Sequence, residues 1–140
     1  MFDEFDNFQP IDFLNVAKEL YYNLNEENPN ISAIKRVIYG RIYYATFLFI
    51  REWLIENKEY VSNNDHTNIP KAFISKGPFN RVRNKQISKN LKRLKKLRHQ
   101  ADYFISQPSE NSPLYEKWIP DDIDRAFDIA EDIFNSFQVR

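Results

Sequence analysis

The stretch ISAIKRVIYGRIYYATFLFIREWLIENK, residues 31–58, decides the fold class of this chain. It holds no proline, and Gly40 is its only glycine, so nothing in it forces a helix to end. Asn30 or Ser32 can cap its start. At about 100° per residue, seven residues fall within about 40° of one direction, namely Ile34, Val37, Arg41, Ala45, Leu48, Glu52 and Ile55. The pattern predicts a long core helix that carries an arginine in the middle of its apolar stripe.

The same periodicity predicts the other helices. They run over about 10–25 and 84–106, with a last helix from near Pro120 and a short helical piece at about 69–74. Pro120 suits a first helical turn, and the aspartates that follow it complement the helix dipole. We therefore expect an all-α fold, an antiparallel up-and-down bundle of four to five helices, with residues 1–140 forming one domain.

The composition excludes several classes of chemistry. The chain has no cysteine and two glycines, which excludes disulfides, thiolate metal sites, cysteine nucleophiles and glycine-rich phosphate loops. The two histidines lie far apart in the sequence, so we expect no metal site and no cofactor. The start of the chain is acidic and no apolar run reaches about 20 residues. We expect a soluble cytoplasmic protein without a membrane partner.

Charge is unevenly distributed along the chain. The net charge is zero, yet residues 66–101 carry eleven Lys or Arg and no Asp or Glu. The polar face of the basic helix holds Lys85, Lys89, Lys92, Arg93, Lys95 and Lys96. Such a face predicts binding to a polyanion, for which RNA is one choice. The alternatives are an acidic partner protein, or the acids of the last helix, which are Asp121, Asp122, Asp124, Asp128, Glu131 and Asp132.

A second arginine interrupts an apolar stripe. Arg98 falls in line with Ile87, Leu91, Leu94, Ala101 and Ile105. Moving a guanidinium out of water costs free energy unless an acid or other hydrogen-bond acceptors pair with it. Asp102 is available to Arg98 at i+4, and Glu52 or an acid on another helix to Arg41. Three interpretations stay open: internal ion pairs or snorkelling, a phosphate pocket with Tyr43 or Tyr44 and Asp102, and a dimer contact.

Three segments share their pattern with a known superfamily. They are RIYYATF at 41–47, His66 in the loop that follows, and LRHQADY at 97–103. Together they resemble the HEPN superfamily, in particular its small prokaryotic branch with Arg-x-Tyr-Tyr-Ala-x-Phe and Leu-Arg-x-x-Ala-Asp-Tyr motifs. The resemblance covers residues 11–137 in helix order. It implies a four- or five-helix bundle that forms a homodimer and that binds RNA or cleaves it without a metal, in a toxin–antitoxin or defence setting.

The resemblance also implies roles for single residues. Many members use an arginine followed four to six residues later by a histidine. Arg98 matches that arginine, but Tyr103 stands where the histidine is expected. In a catalytic version Arg98 would hold the scissile phosphate, His66 or His99 would move protons, and Asp102 and Tyr103 would orient them.

Two interpretations without catalysis remain open. His66 can cap a helix or bridge helices from its loop. The whole chain can be a non-catalytic interaction module, in which Arg41 and Arg98 close polar networks and the charged faces bind a nucleotidyltransferase antitoxin or another protein.

Overall fold

The computed structural model describes residues 7–60, 66–103 and 123–138, which form five α-helices and no strand. The helices are α1 (Ile11–Tyr22), α2 (Ile31–Lys58), α3 (Asn68–Lys76), α4 (Arg81–Tyr103) and α5 (Ile123–Ser136). The all-α prediction is confirmed for this part of the chain. The basic helix begins at Arg81, earlier than expected. The predicted start at Pro120, with Asp121 and Asp122, lies outside the described residues.

Helix α2 is the centre of the fold, since it contacts each of the other four helices. Its buried side chains are Ile38, Tyr39, Ile42, Tyr43, Ala45, Thr46, Phe47, Ile50 and Leu54. All of them except Thr46 join buried residues from α1, α3, α4 and α5 in one hydrophobic cluster. No helix among the described residues is long and apolar enough to cross a membrane.

The buried side of α2 is not the predicted one. Val37 and Ile55 of the predicted stripe are 49% and 37% exposed, whereas Ile38 and Ile42 are fully buried. Arg41 is therefore not in the middle of the core, and its guanidinium lies 5.1 Å from the centre of the Phe13 ring of α1. Periodicity was a poor guide because α2 is apolar on several sides, and a wide apolar arc does not single out one direction.

A buried asparagine fastens the turn between α3 and α4. The side-chain amide of Asn84 donates to the carbonyl of Gly77 at 3.1 Å, and its oxygen accepts from the backbone N–H of Phe79 at 3.1 Å. A Cβ on Gly77 would lie 2.5 Å from that oxygen, so the close approach requires glycine. The hydroxyl of Ser88 donates to the carbonyl of Pro70 at 2.7 Å and adds a second link.

Phe137, which follows α5, contacts aromatic side chains of α2 and of the turn between α3 and α4. The ring of Phe137 lies 4.8 Å from Phe49, 5.0 Å from Phe79 and 5.8 Å from Trp53. Edge and tilted contacts of this kind add to the energy of area burial. These rings pack α2 against the turn between α3 and α4 and against the end of α5.

Candidate functional site

Arg98 lies at the edge of the core rather than within it. The buried positions of α4 advance by three residues from Leu91 to Leu94, Leu97 and Gln100. Each such step turns the buried side by about 60°, because three residues cover about 300° of a helix. This rotation moves the buried side of α4 away from Arg98, whose side chain is 30% exposed. Arg98 therefore borders the predicted apolar stripe, whose residues Ile87, Leu91, Leu94 and Ala101 are buried and whose Ile105 lies outside the described residues.

The charge of Arg98 has a partner on its own helix. Its Nε lies 2.9 Å from Oδ2 of Asp102, so the predicted i+4 ion pair is confirmed. The guanidinium carbon also lies 5.9 Å and 5.7 Å from the ring centres of Tyr43 and Tyr44 on α2. Ring faces attract a cation at such distances. Arg98 is thus held between a carboxylate and two aromatic rings.

His66 reaches the same two tyrosines from the residues before α3. Its Nδ1 lies 2.6 Å from the hydroxyl of Tyr43, and its ring stacks on Phe47 with centroids 4.0 Å apart. The ring of Tyr44 meets it edge-on at 6.1 Å. These contacts join the residues just before α3 to α2.

The protonation of Tyr43 determines how this hydrogen bond is made. Burial raises the pKa of the Tyr43 hydroxyl, an effect that the positive charge of Arg98 partly offsets. The phenol therefore keeps its proton at neutral pH. When the neutral imidazole of His66 carries its proton on Nε2, Tyr43 donates to Nδ1. Tyr43 can thereby set which ring nitrogen of His66 holds the proton.

Arg98 and His66 thus flank one pair of rings. We call Tyr43, Tyr44, Phe47, His66, Arg98 and Asp102 the tyrosine cluster. A guanidinium and an imidazole around a shared pair of phenols can bind an anion and transfer a proton. Arg41, predicted as a third member of a polar pocket, makes no hydrogen bond or ion pair with any described residue and contacts Phe13 instead.

Two of the predicted catalytic residues lie elsewhere. His99 is exposed on α4, with its ring centroid 4.6 Å from that of Tyr103. Tyr103 is itself 64% exposed. The structure therefore divides the predicted catalytic set: Arg98, Asp102 and His66 belong to the tyrosine cluster, and His99 and Tyr103 lie on the surface of α4.

The six predicted RNA-binding residues occupy the surface of α4. Lys85, Lys89, Lys92, Arg93 and Lys96 are exposed and Lys95 is half-buried. None of the six forms an ion pair with a described residue. We call these six residues the basic face.

The acids of α5 pair with residues outside the basic face. Asp132 meets Arg83 at 2.9 Å, and Glu131 meets Lys18 of α1 at 2.9 Å. Asp124 accepts a hydrogen bond of 2.5 Å from the hydroxyl of Tyr21, and this bond, with burial, raises the pKa of Tyr21. The alternative that the acids of α5 face the basic helix is met at one contact, Arg83–Asp132, whereas none of the described acids pairs with the six residues of the basic face. Likewise Glu52, a candidate partner for Arg41, pairs with Arg51 at 2.7 Å.

Sequence reasoning missed two polar residues near the end of α4. Arg36 of α2 donates from Nη1 to the carbonyl of Ala101 at 2.6 Å, which satisfies a backbone acceptor in the last turn of α4. Gln100 is 3% exposed, and neither atom of its amide has a hydrogen-bond partner among the described residues. The three-residue spacing from Leu91 could have indicated the burial of Gln100. No group of three or more potential metal ligands occurs in the described ranges.

Comparison with known proteins identifies a relative of the chain. No family model matches the chain, and no solved structure matches it. The chain is 30% identical to the uncharacterized protein MJ0628 of Methanocaldococcus jannaschii over 126 residues, which covers 78% of this chain and 71% of the relative. With this identity over more than two thirds of both proteins, the chain belongs to the family of MJ0628.

Proposed function

We propose that the protein is an RNA-binding, HEPN-like protein whose basic face holds the RNA backbone. The observation that carries the proposal is the absence of an ion pair for any of its six cations among the described residues, although α5 supplies several acids nearby in the fold. Unpaired cations on one face attract phosphates. Their counterions leave on binding, which gives affinity a strong salt dependence.

The proposal includes the antiparallel up-and-down arrangement typical of HEPN domains. Two contacts between α2 and α4 support it: Arg36 meets Ala101, and Tyr44, later in α2, meets Arg98, earlier in α4. The α1–α5 contacts also run in opposite directions, because Lys18 meets Glu131 and Tyr21, later in α1, meets Asp124, earlier in α5. In this arrangement the two motifs that carry the resemblance meet where Arg98 contacts Tyr43 and Tyr44.

We also propose that the protein works as a homodimer in a toxin–antitoxin or defence setting. Val16 of α1 and Val37 of α2 are 44% and 49% exposed, which leaves apolar surface for a second copy to cover. Sedimentation or light scattering that finds a monomer at all concentrations would remove the dimer from the proposal and leave RNA binding intact.

The cleaving version of this function uses the tyrosine cluster. Arg98 would hold the scissile phosphate. His66 would take the proton of the ribose 2′-hydroxyl on Nε2, in the tautomer whose Nδ1–H donates to the hydroxyl of Tyr43. Attack by the freed oxygen on phosphorus would expel the 5′-oxygen of the next nucleotide, which would receive the proton held by His66, and leave a cyclic phosphate. His99 lies with Tyr103 on the exposed surface of α4, so His66 is the better candidate for this proton transfer.

A non-catalytic interaction module is the second candidate, and one observation favours it. Arg98 is engaged by Asp102, and Nδ1 of His66 by Tyr43. Groups that complete a structural network need no substrate to explain them. In this version the basic face binds an acidic partner, such as a nucleotidyltransferase antitoxin, and co-purification of such a protein with the chain would support it.

Binding is tested by measuring RNA affinity over a range of salt concentrations. We expect the double variant Lys92→Ala/Lys96→Ala to lower affinity and to reduce the log–log salt slope by about 1.4 on a single strand. The matched control is Lys71→Ala/Lys76→Ala, which removes the same charge from exposed positions of α3. Equal losses in both variants would contradict a defined basic face, and no binding by the wild type would refute the function.

Cleavage is tested separately. The wild type and Arg98→Ala are incubated with total RNA in EDTA, and the product termini are analysed. Cyclic phosphates that appear with the wild type alone would establish the cleaving version. Intact RNA in both, with both proteins folded, would restrict the function to binding.

A further inference from the structure

The basic face ends in an exposed aromatic pair. The rings of His99 and Tyr103 lie 4.6 Å apart, and Tyr103 keeps 64% of its surface exposed. At about 100° per residue, Lys85, Lys92, Lys96 and Tyr103 fall within about 40° of one direction. At about 1.5 Å per residue, Tyr103 lies about 10 Å beyond Lys96 along the helix. The aromatic pair therefore continues the line of cations toward the C-terminal end of α4.

The surroundings of Tyr103 distinguish it from another exposed tyrosine. Tyr22 of α1 is 83% exposed, but the cleft that it lines holds three carboxylates and one cation, a balance that repels phosphates; the charged residues are Asp124, Asp128, Glu131 and Lys18. Tyr103 follows a row of cations, and its hydroxyl makes no hydrogen bond to a described residue. One exposed tyrosine is ordinary. A tyrosine placed after a row of cations combines a charge for phosphates with a flat surface for a base.

We propose that Tyr103, supported by His99, is a stacking platform for a nucleobase, and that it gives the protein a preference for single-stranded over double-stranded nucleic acid. The proposal rests on the proposed function, because the basic face must hold the backbone first. Single strands can turn a base onto an aromatic ring, whereas the bases of a duplex are stacked on one another. Every base has a flat face, so the platform tolerates any sequence.

The test is fluorescence anisotropy with three labelled probes: a single-stranded oligouridylate, a single-stranded oligothymidylate of equal length, and a blunt RNA hairpin whose loop is a polyether linker, so that it holds no unpaired base. We expect Tyr103→Ala to weaken single-strand binding about 10-fold, the scale of one lost base–aromatic stack. Tyr103→Phe keeps the ring and should bind like the wild type. Hairpin affinity and the salt slope should not change, because no charge is removed. The matched control is Tyr22→Ala, an equally drastic truncation of a more exposed tyrosine.

The outcomes separate this proposal from the function on which it rests. Loss of single-strand binding in Tyr103→Ala alone supports the platform, and tighter binding of the RNA than of the DNA strand assigns its use to RNA. Equal affinity of Tyr103→Ala and wild type, with binding still dependent on Lys92 and Lys96, overturns the platform and leaves the function standing. An equal loss on strand and hairpin overturns the platform as well. No binding by the wild type overturns both.

Discussion

The tyrosine cluster, through Arg98 and Asp102, and the basic face both include residues of α4, but their charged groups differ in whether they have partners. In the cluster, Arg98 meets Asp102 and His66 meets Tyr43, so the polar groups are paired. On the basic face, cations such as Lys92 and Lys96 have no ion-pair partner among the described residues. Paired groups beside a core contribute to stability, and unpaired surface cations contribute to binding. If the two regions are independent, changes in the tyrosine cluster should alter stability and changes in the basic face should alter RNA binding.

The largest expected effect is the loss of Phe47. Its side chain is 1% exposed, stacks on His66 and packs against Tyr43. Phe47→Ala should lower the free energy of unfolding by about 3 to 5 kcal/mol, since it leaves a cavity beneath the cluster. Urea unfolding measures this loss.

The matched control for Phe47→Ala is Phe8→Ala, a truncation at a position that is 39% exposed. It should cost about 1 kcal/mol or less. Under conditions where Phe47→Ala remains folded, RNA affinity should be that of the wild type. A large loss of affinity would show that RNA binding by the basic face depends on the tyrosine cluster, so that the two regions are not independent.

The sequence predicted helices well and helix faces less well. Long periodic segments and turn residues located α1, α2 and α4 to within a few residues. The buried side of α2 was missed because Val37 and Ile38 are equally apolar, and only the packing of α1, α4 and α5 around α2 selects one of them. In α4 the three-residue steps after Leu91 turned the core away from Arg98.

The site was predicted in part for a similar reason. Asp102 was found as the partner of Arg98 because i and i+4 are neighbours on any helix. His66 was selected by the resemblance to a family. Its hydrogen bond to Tyr43 joins residues that are 23 positions apart, and no local pattern in the sequence predicts such a contact. The link from Arg36 to the carbonyl of Ala101 had no signal in the sequence, because any backbone oxygen can accept and none is marked by its residue type.

A smaller effect is expected from the hydroxyl of Tyr43. Tyr43→Phe keeps the ring and removes the 2.6 Å hydrogen bond to His66, so stability at neutral pH should fall by about 1 kcal/mol. The folded-state pKa of Tyr43 is raised above the unfolded value of about 10. The unfolded chain therefore loses this proton first, and the contribution of Tyr43 is complete below pH about 10 and declines above it.

Thermal unfolding across the alkaline range measures this contribution. The loss of stability with rising pH should be shallower in Tyr43→Phe than in the wild type. Tyr22→Phe, which removes a hydroxyl from a tyrosine that is 83% exposed, is the control. If both variants change the alkaline slope equally, Tyr43 is not the residue responsible, and the paired character assigned to the cluster would lose its support.

The smallest expected effect on stability concerns Arg98 itself. Its side chain is 30% exposed and that of Asp102 is 37% exposed, so water screens the pair. A double-mutant cycle with Arg98→Ala and Asp102→Ala should give a coupling energy below about 1 kcal/mol. Arg98→Ala should also reduce RNA affinity less than Lys92→Ala/Lys96→Ala does, because its guanidinium already contacts a carboxylate and two rings. An equal or larger reduction would mean that RNA displaces Asp102 from Arg98. The cluster and the basic face would then form one continuous binding surface, and the arginine at the edge of the core would be part of it.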